Sequence, residues 1–357
     1  MWGKNRFLER VRVQHPIIQA PMIGPKPALA ASVSAAGGLG SLACAAMNPD
    51  TVRNEAAAIR ARTDAPFNLN FFCHVPDVPD AARESAWRSR LAPYYAELGL
   101  DPSALIVMAQ RLPFDAAMLA AVADVRPAVV SFHFGLPEAA LLDRVRALGC
   151  IILSSATTVR EARWLAERGV DAIIAQGAEA GGHRGLFLGG DPATQVGTMA
   201  LVPQVVDAVD VPVIAAGGIA DARGIGAAFM LGASAVQLGT AYLRCTEAGL
   251  SGPHQEALRR ARDEDTTITN VLTGKPARGL VNRVMRELGP WHAEVPVFPT
   301  AAIRLQPLRI EAERRGSGDF SPLWAGQGAP LARETEAGRL TAELAEGALR
   351  LLGRARA

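Results

Sequence analysis

Residues 211–240 read VPVIAAGGIADARGIGAAFMLGASAVQLGT, and this stretch decides the fold. A short apolar run, Val211–Ala216, meets the glycine pair Gly217-Gly218. A small-residue amphipathic stretch, Ala222–Leu231, follows. A second apolar run, Ala235–Gly239, then ends at Gly239-Thr240. Both runs are continuously apolar rather than alternating. That marks strands covered on both faces, which are parallel strands joined by helices.

The same rhythm extends toward the N-terminus. Further strands are expected at Pro16–Met22 (PIIQAPM), Leu39–Ala46, Pro66–Phe72 (PFNLNFF), Ala128–Phe134 (AVVSFHF), Cys150–Ser155 and Asp171–Gln176 (DAIIAQ). Helical stretches separate them near 28–36, 51–63, 116–125, 138–148, 159–168 and 199–208. Arg83–Leu98, rich in Trp, Tyr and Arg, reads as an inserted helix. Eight strand–helix units with short loops fit a closed barrel better than an open sheet. No solenoid-type repeat is present. The expected fold is therefore α/β, a (β/α)8 TIM barrel over residues 1–250. Residues 251–357 break the rhythm. They read as a helical, Pro-rich appendix, a small flanking subdomain on the barrel that lines the substrate pocket and closes with an amphipathic helix, Thr335–Leu352.

Composition narrows the function. The 357 residues are 49% hydrophobic and 20% charged, as in ordinary globular enzymes. Net charge is +2, and no basic block suggests nucleic acid. Cys44, Cys73, Cys150 and Cys245 lie far apart without a CxxC pair, which fits reduced, inert thiols and a cytoplasmic setting. No apolar run is long enough for a membrane span, and the charged start carries no signal-like apolar core. No His/Asp/Glu spacing suggests a metal. There is no GxSxG, and no GxGxxG opening a helix, so hydrolase and dinucleotide-fold readings lack support.

Barrel enzymes place their chemistry at the carboxyl ends of the strands. Two glycine turns at consecutive strand ends, Gly217-Gly218 and Gly239-Thr240, would let bare backbone N–H groups approach a phosphate. Tight turns alone would also use glycine, but two such turns at these ends favour a phosphorylated ligand. The loop Glu179–Gly185 is glycine-dense around His183, which suits general acid–base work at a ligand. His133 either lines the barrel mouth or sits satisfied in the core; strand alternation points it opposite to Phe132 and Phe134. Asn70 and Gln176 offer uncharged amides at strand tips, suited to the polar edge of a flavin or nucleobase. His15, His74, His254 and His292 carry no functional signal.

Together, PIIQAPM (Pro16–Met22), SFHFG (Ser131–Gly135), AQGAEAGGHRG (Ala175–Gly185), AAGGI (Ala215–Ile219) and QLGTA (Gln237–Ala241) resemble the nitronate monooxygenase family, formerly the 2-nitropropane dioxygenases. WAGQG (Trp324–Gly328) resembles the tail of its bacterial class I members. The resemblance implies noncovalently bound FMN and oxidation of alkyl nitronates, notably propionate 3-nitronate, by O2 via a flavin semiquinone. It implies flavin contacts at Asn70, Gln176, Gly181, Gly218, Gln237, Leu238, Gly239 and Thr240, the last four and Gly218 holding the phosphate. The family's active-site histidines map onto His183 and His133. His183 would deprotonate a neutral nitroalkane or stabilise a nitronate anion.

One segment departs from that pattern. Class I relatives carry tyrosines and a lysine before WAGQG; here Val297–Arg304 reads VFPTAAIR. Phe298 is the candidate replacement for a tyrosine and Arg304 for the positive charge. The alternatives are an FMN-dependent enoyl-thioester reductase, a tailoring oxygenase acting on a nitro or N-hydroxy compound, a non-redox barrel holding another phosphate ligand, and a non-catalytic flavin binder. Apolar barrel faces often mediate dimers, so a homodimer stays open.

Overall fold

The computed structural model describes residues 2–22, 26–76, 78, 80–103, 111–189 and 191–354. In chain order the strands are β1 Ile17–Gln19, β2 Gly40–Ala43, β3 Phe67–Phe72, β4 Val129–His133, β5 Ile151–Ala156, β6 Ala172–Gln176, β7 Gly182–His183, β8 Val213–Ala216, β9 Ala235–Leu238, β10 Thr266–Thr269 and β11 Ala277–Leu280. The α-helices are α1 Arg6–Val11, α2 Pro27–Ala35, α3 Pro49–Arg60, α4 Ala81–Leu98, α5 Ala116–Val125, α6 Ala139–Ala147, α7 Val159–Glu167, α8 Thr198–Val206, α9 Ala222–Met230, α10 Thr240–Leu243, α11 Gly252–Arg260, α12 Arg283–Leu288, α13 Thr300–Arg314 and α14 Ala337–Arg354.

Eight parallel strands follow the order β1-β9-β8-β6-β5-β4-β3-β2. Leu39 closes the ring: its N–H donates to Ile17 O at 2.9 Å, and its carbonyl accepts from Gln19 N at 3.0 Å. The expected (β/α)8 barrel is thus present, with each of the eight apolar runs as a strand. Closure leaves no open edge among the eight.

The barrel interior is apolar. Ile18, Leu39, Val129, Leu153, Ile214 and Ala235 form one buried cluster with Phe7 and Val11 of α1. That short helix therefore plugs the amino-terminal mouth. Asn5 fixes it there: Oδ1 accepts from Phe7 N and Leu8 N at 2.9 and 3.1 Å, and Nδ2 donates to Ser234 O at 2.7 Å. A cap of this kind contributes about 1 kcal/mol. With the lower mouth plugged, the space for a ligand lies at the opposite end.

A second buried cluster joins the inserted helix to the appendix. Trp87, Leu91 and Tyr95 of α4 pack with Leu272, Leu305 and Phe320. Tyr95 Oη donates to Arg304 O at 2.6 Å. The appendix is largely helical, as expected, but it also carries a small antiparallel sheet, β10-β11-β7, absent from the sequence reading. Its strands have four, four and two residues, too short to show a periodicity. The register pairs Ala277 with His183 and Arg278 with Gly182. The glycine–histidine loop is thus tied to the appendix. The last helix, α14, instead covers the barrel: Ala337, Leu340, Leu344 and Ala348 join the main core, and Thr341 Oγ1 meets Tyr242 Oη at 2.8 Å.

Candidate active site

A cavity of about 290 Å³ opens at the carboxyl ends of the barrel strands. Eight of the ten residues singled out in the sequence line it: Asn70, His133, Gln176, Gly181, His183, Gln237, Gly239 and Thr240. Gly218 and Leu238 do not. The Leu238 side chain is buried in the main core, and Gly217 and Ile219 form the wall where Gly218 was expected.

One end of the cavity is a cradle almost without side chains. Gly217 has φ +118° and Gly218 φ +69°, a left-handed region that other residues rarely enter. A Cβ on Gly217 would lie 2.7 Å from Thr198 Oγ1. The Glu179 carboxylate accepts from Thr198 N at 2.9 Å and from Thr198 Oγ1 at 2.8 Å, fixing the start of α8 beneath the turn. Above it, Gly326 N donates to Thr240 Oγ1 at 2.9 Å, and Gln327 N donates to Glu179 O at 3.0 Å. The WAGQG segment is therefore a clamp closed on the glycine loop. The fit is tight, since a Cβ on Gly181 would stand 2.5 Å from Gly326 N.

Two amides serve different ends. Gln176 Nε2 donates to His183 O at 3.0 Å, and its Oε1 accepts from Gly185 N at 2.8 Å, so this side chain holds the loop. Gln237 Oε1 is buried without a partner among the described residues. An orphaned acceptor on a cavity wall asks for a donor from a ligand.

The histidines divide the work. His133 Nδ1 lies 3.1 Å from Ser155 Oγ and Nε2 lies 3.2 Å from His183 O. A carbonyl only accepts, so Nε2 carries the proton and Nδ1 accepts from the serine. Both nitrogens are occupied, which makes His133 a post for the His183 loop. Burial lowers its pKa to about 4. His183 Nε2 lies 3.0 Å from Thr273 Oγ1, and that hydroxyl in turn donates to Lys275 O at 3.4 Å. The assigned tautomer thus has the proton on Nε2 and leaves a lone pair on Nδ1. Burial, then the charges of Arg111 and other cations, hold the His183 pKa well below 6.5, so the ring is neutral at pH 7.

An aromatic cage surrounds His183. Ring centroids of Phe298 and Trp324 lie 5.5 Å away, and those of Phe72 and Phe134 lie 6.0 Å away. Strand alternation pointed Phe134 away from His133. The structure corrects this: β4 ends at His133, Phe134 has φ +67°, and its ring folds back to 4.5 Å from His133. His74, given no functional signal in the sequence, joins the cage at 5.0 Å from Phe298.

The expected source of positive charge is also corrected. Arg304 faces outward, donating from Nη1 to Pro102 O at 3.4 Å. The cavity takes its charge from Arg111 and Arg309, with Lys275 Nζ beside the cage at 5.2 Å from the Phe134 centroid. None of these three stood out in the sequence, because each lies in a separate segment. Burial raises the thiol pKa of Cys44, Cys73, Cys150 and Cys245, which suits inert cysteines. Among the described residues no helix is long and apolar enough to cross a membrane.

The family model for nitronate monooxygenase matches residues 4–347. The nitronate monooxygenase of Pseudomonas aeruginosa is 44% identical over 346 residues, covering 96% of this chain and 98% of that protein. That of Paraburkholderia phytofirmans is 44% identical over 349 residues, covering 96% and 94%. Among solved structures, nitroalkane oxidase from Streptomyces ansochromogenes superposes with a TM-score of 0.89 at 38% identity, covering 98% of this chain and 99% of that one. The match over nearly the whole length is decisive: the chain belongs to the nitronate monooxygenase family of oxidoreductases.

Proposed function

We propose that this protein is an FMN-dependent monooxygenase that oxidises alkyl nitronates with O2. The cavity suits the cofactor: a cradle at Gly217, Gly239 and Thr240 for a phosphate, and the unpartnered Gln237 Oε1 for an N–H of the ring. When bound, FMN would supply the electron transfer between the nitronate and O2. The chain's own residues do the rest. Gln176 and His133 fix the His183 loop. The Nδ1 lone pair of His183 removes the α-proton of a neutral nitroalkane. Phe72, Phe134, Phe298 and Trp324 keep water from that nitrogen, which strengthens every charge interaction within the cage.

The observation that carries the reading is the charge around His183. Arg111 and Lys275 act on its ring, and the only carboxylate on the cavity wall among the described residues, Glu179, is tied to Thr198. Such a site favours an anion over a neutral ligand. The test is an anaerobic titration of the FMN-loaded protein with ethyl nitronate, NADH and NADPH in parallel. Bleaching by the nitronate and recovery in air are expected. Failure to hold FMN on reconstitution, or bleaching only by a nicotinamide, would overturn the reading.

A further inference from the structure

The group that faces Nε2 of His183 belongs to the appendix, not to the barrel. Thr273 sits in the connection between β10 and β11, and its Oγ1 lies 3.0 Å from that nitrogen. The residue is only 3% exposed, so bulk water does not compete for the bond. The same hydroxyl meets the Lys275 main chain twice, donating to Lys275 O at 3.4 Å and accepting from Lys275 N at 3.5 Å. A hydroxyl has one proton to give. With that proton directed at Lys275 O, Oγ1 is left to accept from the imidazole.

The connection is pinned from two sides. Asn270 O accepts from Thr273 N at 3.3 Å and from Gly274 N at 2.8 Å. The Asn270 side chain donates to His292 O at 2.9 Å and accepts from His292 N at 3.0 Å. Gly274 has φ +91°, and a Cβ on it would stand 2.4 Å from Pro296 O. A side chain is therefore excluded there. On the other side β11 pairs with β7, placing Ala277 beside His183. One small sheet thus carries both partners and sets the distance between imidazole and hydroxyl. A carboxylate in the place of Thr273 would also orient the ring, but it would favour the imidazolium and add an anion beside a site for nitronates. The hydroxyl orients without either effect.

We propose that Thr273 is the positioning residue for His183, holding the ring proton on Nε2 so that Nδ1 is free to act on the substrate. This rests on the nitronate reading above and names the residue that makes His183 a base in it. With a neutral nitroalkane, the α C–H bond breaks and its proton forms a bond to Nδ1. The electron pair stays behind on the nitronate. The Nε2–H bond to Thr273 persists and takes up part of the imidazolium charge. A preformed nitronate bypasses this step. Thr273→Val keeps the shape of the side chain but removes the acceptor. A buried Nε2–H would then lack a partner, so the proton moves to Nδ1 and blocks the base.

The test uses the wild type, Thr273→Val and Thr273→Ser, with two readouts. Nitrogen NMR of the FMN-loaded protein, labelled at its histidine ring nitrogens, reads the tautomer directly; His183→Asn identifies the His183 signals by their loss. The wild type and Thr273→Ser should carry the proton on Nε2, and Thr273→Val should shift it to Nδ1. Steady-state turnover is the second readout. Thr273→Val should lower kcat/KM for nitroethane by about 10- to 100-fold, the usual cost of losing the group that orients a functional histidine. Ethyl nitronate should be little affected, and Thr273→Ser should restore nitroethane turnover. Melting curves and the visible flavin spectrum show which variants are folded and loaded. The NMR readout needs no substrate, so it decides the tautomer even if the protein turns over no nitronate. A wild-type ring protonated on Nδ1 overturns the proposal without any variant. So does a folded Thr273→Val that keeps the proton on Nε2, or that loses both substrates equally.

Discussion

The Nε2 of His133 lies 3.2 Å from the main-chain oxygen of His183. One histidine therefore holds the backbone that presents the other. The same oxygen also accepts from Gln176 Nε2 at 3.0 Å, so two donors, one from β4 and one from β6 on either side of β5, share one acceptor. His133→Phe removes one donor and leaves Ser155 Oγ without its partner. It is expected to cost roughly 1–3 kcal/mol of stability. Loss of positioning should lower kcat by about 10-fold, with FMN still bound. Thermal melts and steady-state turnover check both. Full activity with an unchanged melt would show that the post is dispensable.

His183→Asn separates the two substrate types. A neutral nitroalkane needs a base, and that contribution is typically about 10²–10⁴ in rate. A preformed nitronate does not need one. Turnover of nitroethane should fall by about two orders of magnitude and that of ethyl nitronate by much less. The visible flavin spectrum should persist. Equal losses on both substrates would remove the base role.

The clamp at Gly181 predicts a cofactor-binding defect. A Cβ there would stand 2.5 Å from Gly326 N and 2.6 Å from Ala325 C, backbone against backbone, so the WAGQG segment must shift. Gly181→Ala is expected to weaken FMN binding by about 10-fold or more, following a strain of roughly 1–3 kcal/mol. Fluorescence titration of the apoprotein with FMN measures it. Gly252→Ala is the control, because a Cβ there meets nothing within 4 Å. Equal affinity in the two variants would mean the clamp does not shape the cofactor site.

Buried neutral histidines set an acid limit on stability. Burial lowers the pKa of both His133 and His254 from 6.5 to about 4. Between these values the unfolded chain binds protons that the native chain refuses. Stability is therefore complete above pH 6.5 and falls as the pH drops through the window toward 4. Each histidine contributes at most on the order of 3 kcal/mol to that loss. The melting temperature should decline steadily from pH 7 to pH 4.5, and a folded His254→Gln variant should show a shallower decline. A flat profile, or an equal slope in the variant, would count against this account.

Much of the fold was legible because it is written locally. Val211–Ala216 and Ala235–Gly239 are continuous apolar runs, and their glycine ends need only the backbone to be read. The same logic located six further strands and, at the ends of the strands, eight of the ten candidate residues that line the cavity. Leu238 turns its side chain into the core, so only its main chain is left to meet a ligand. Gly217 and Gly218 share one left-handed turn, of which Gly217 faces the cavity.

The substrate end was not legible in the same way. Arg111, Lys275 and Arg309 come from three distant segments, and His74 from a fourth. Phe134 reaches His133 only because the chain leaves β4 in a left-handed conformation. The two-residue strand at Gly182-His183 exists only because β11 lies beside it. The sequence by itself determined the barrel and the glycine cradle, since hydrophobic period and backbone freedom are properties of short segments. Only the tertiary structure decided which cations face His183 and which histidine keeps a free lone pair. Charge, desolvation and hydrogen-bond partnership depend on distances through space, and those are set after the barrel closes and the appendix docks on it.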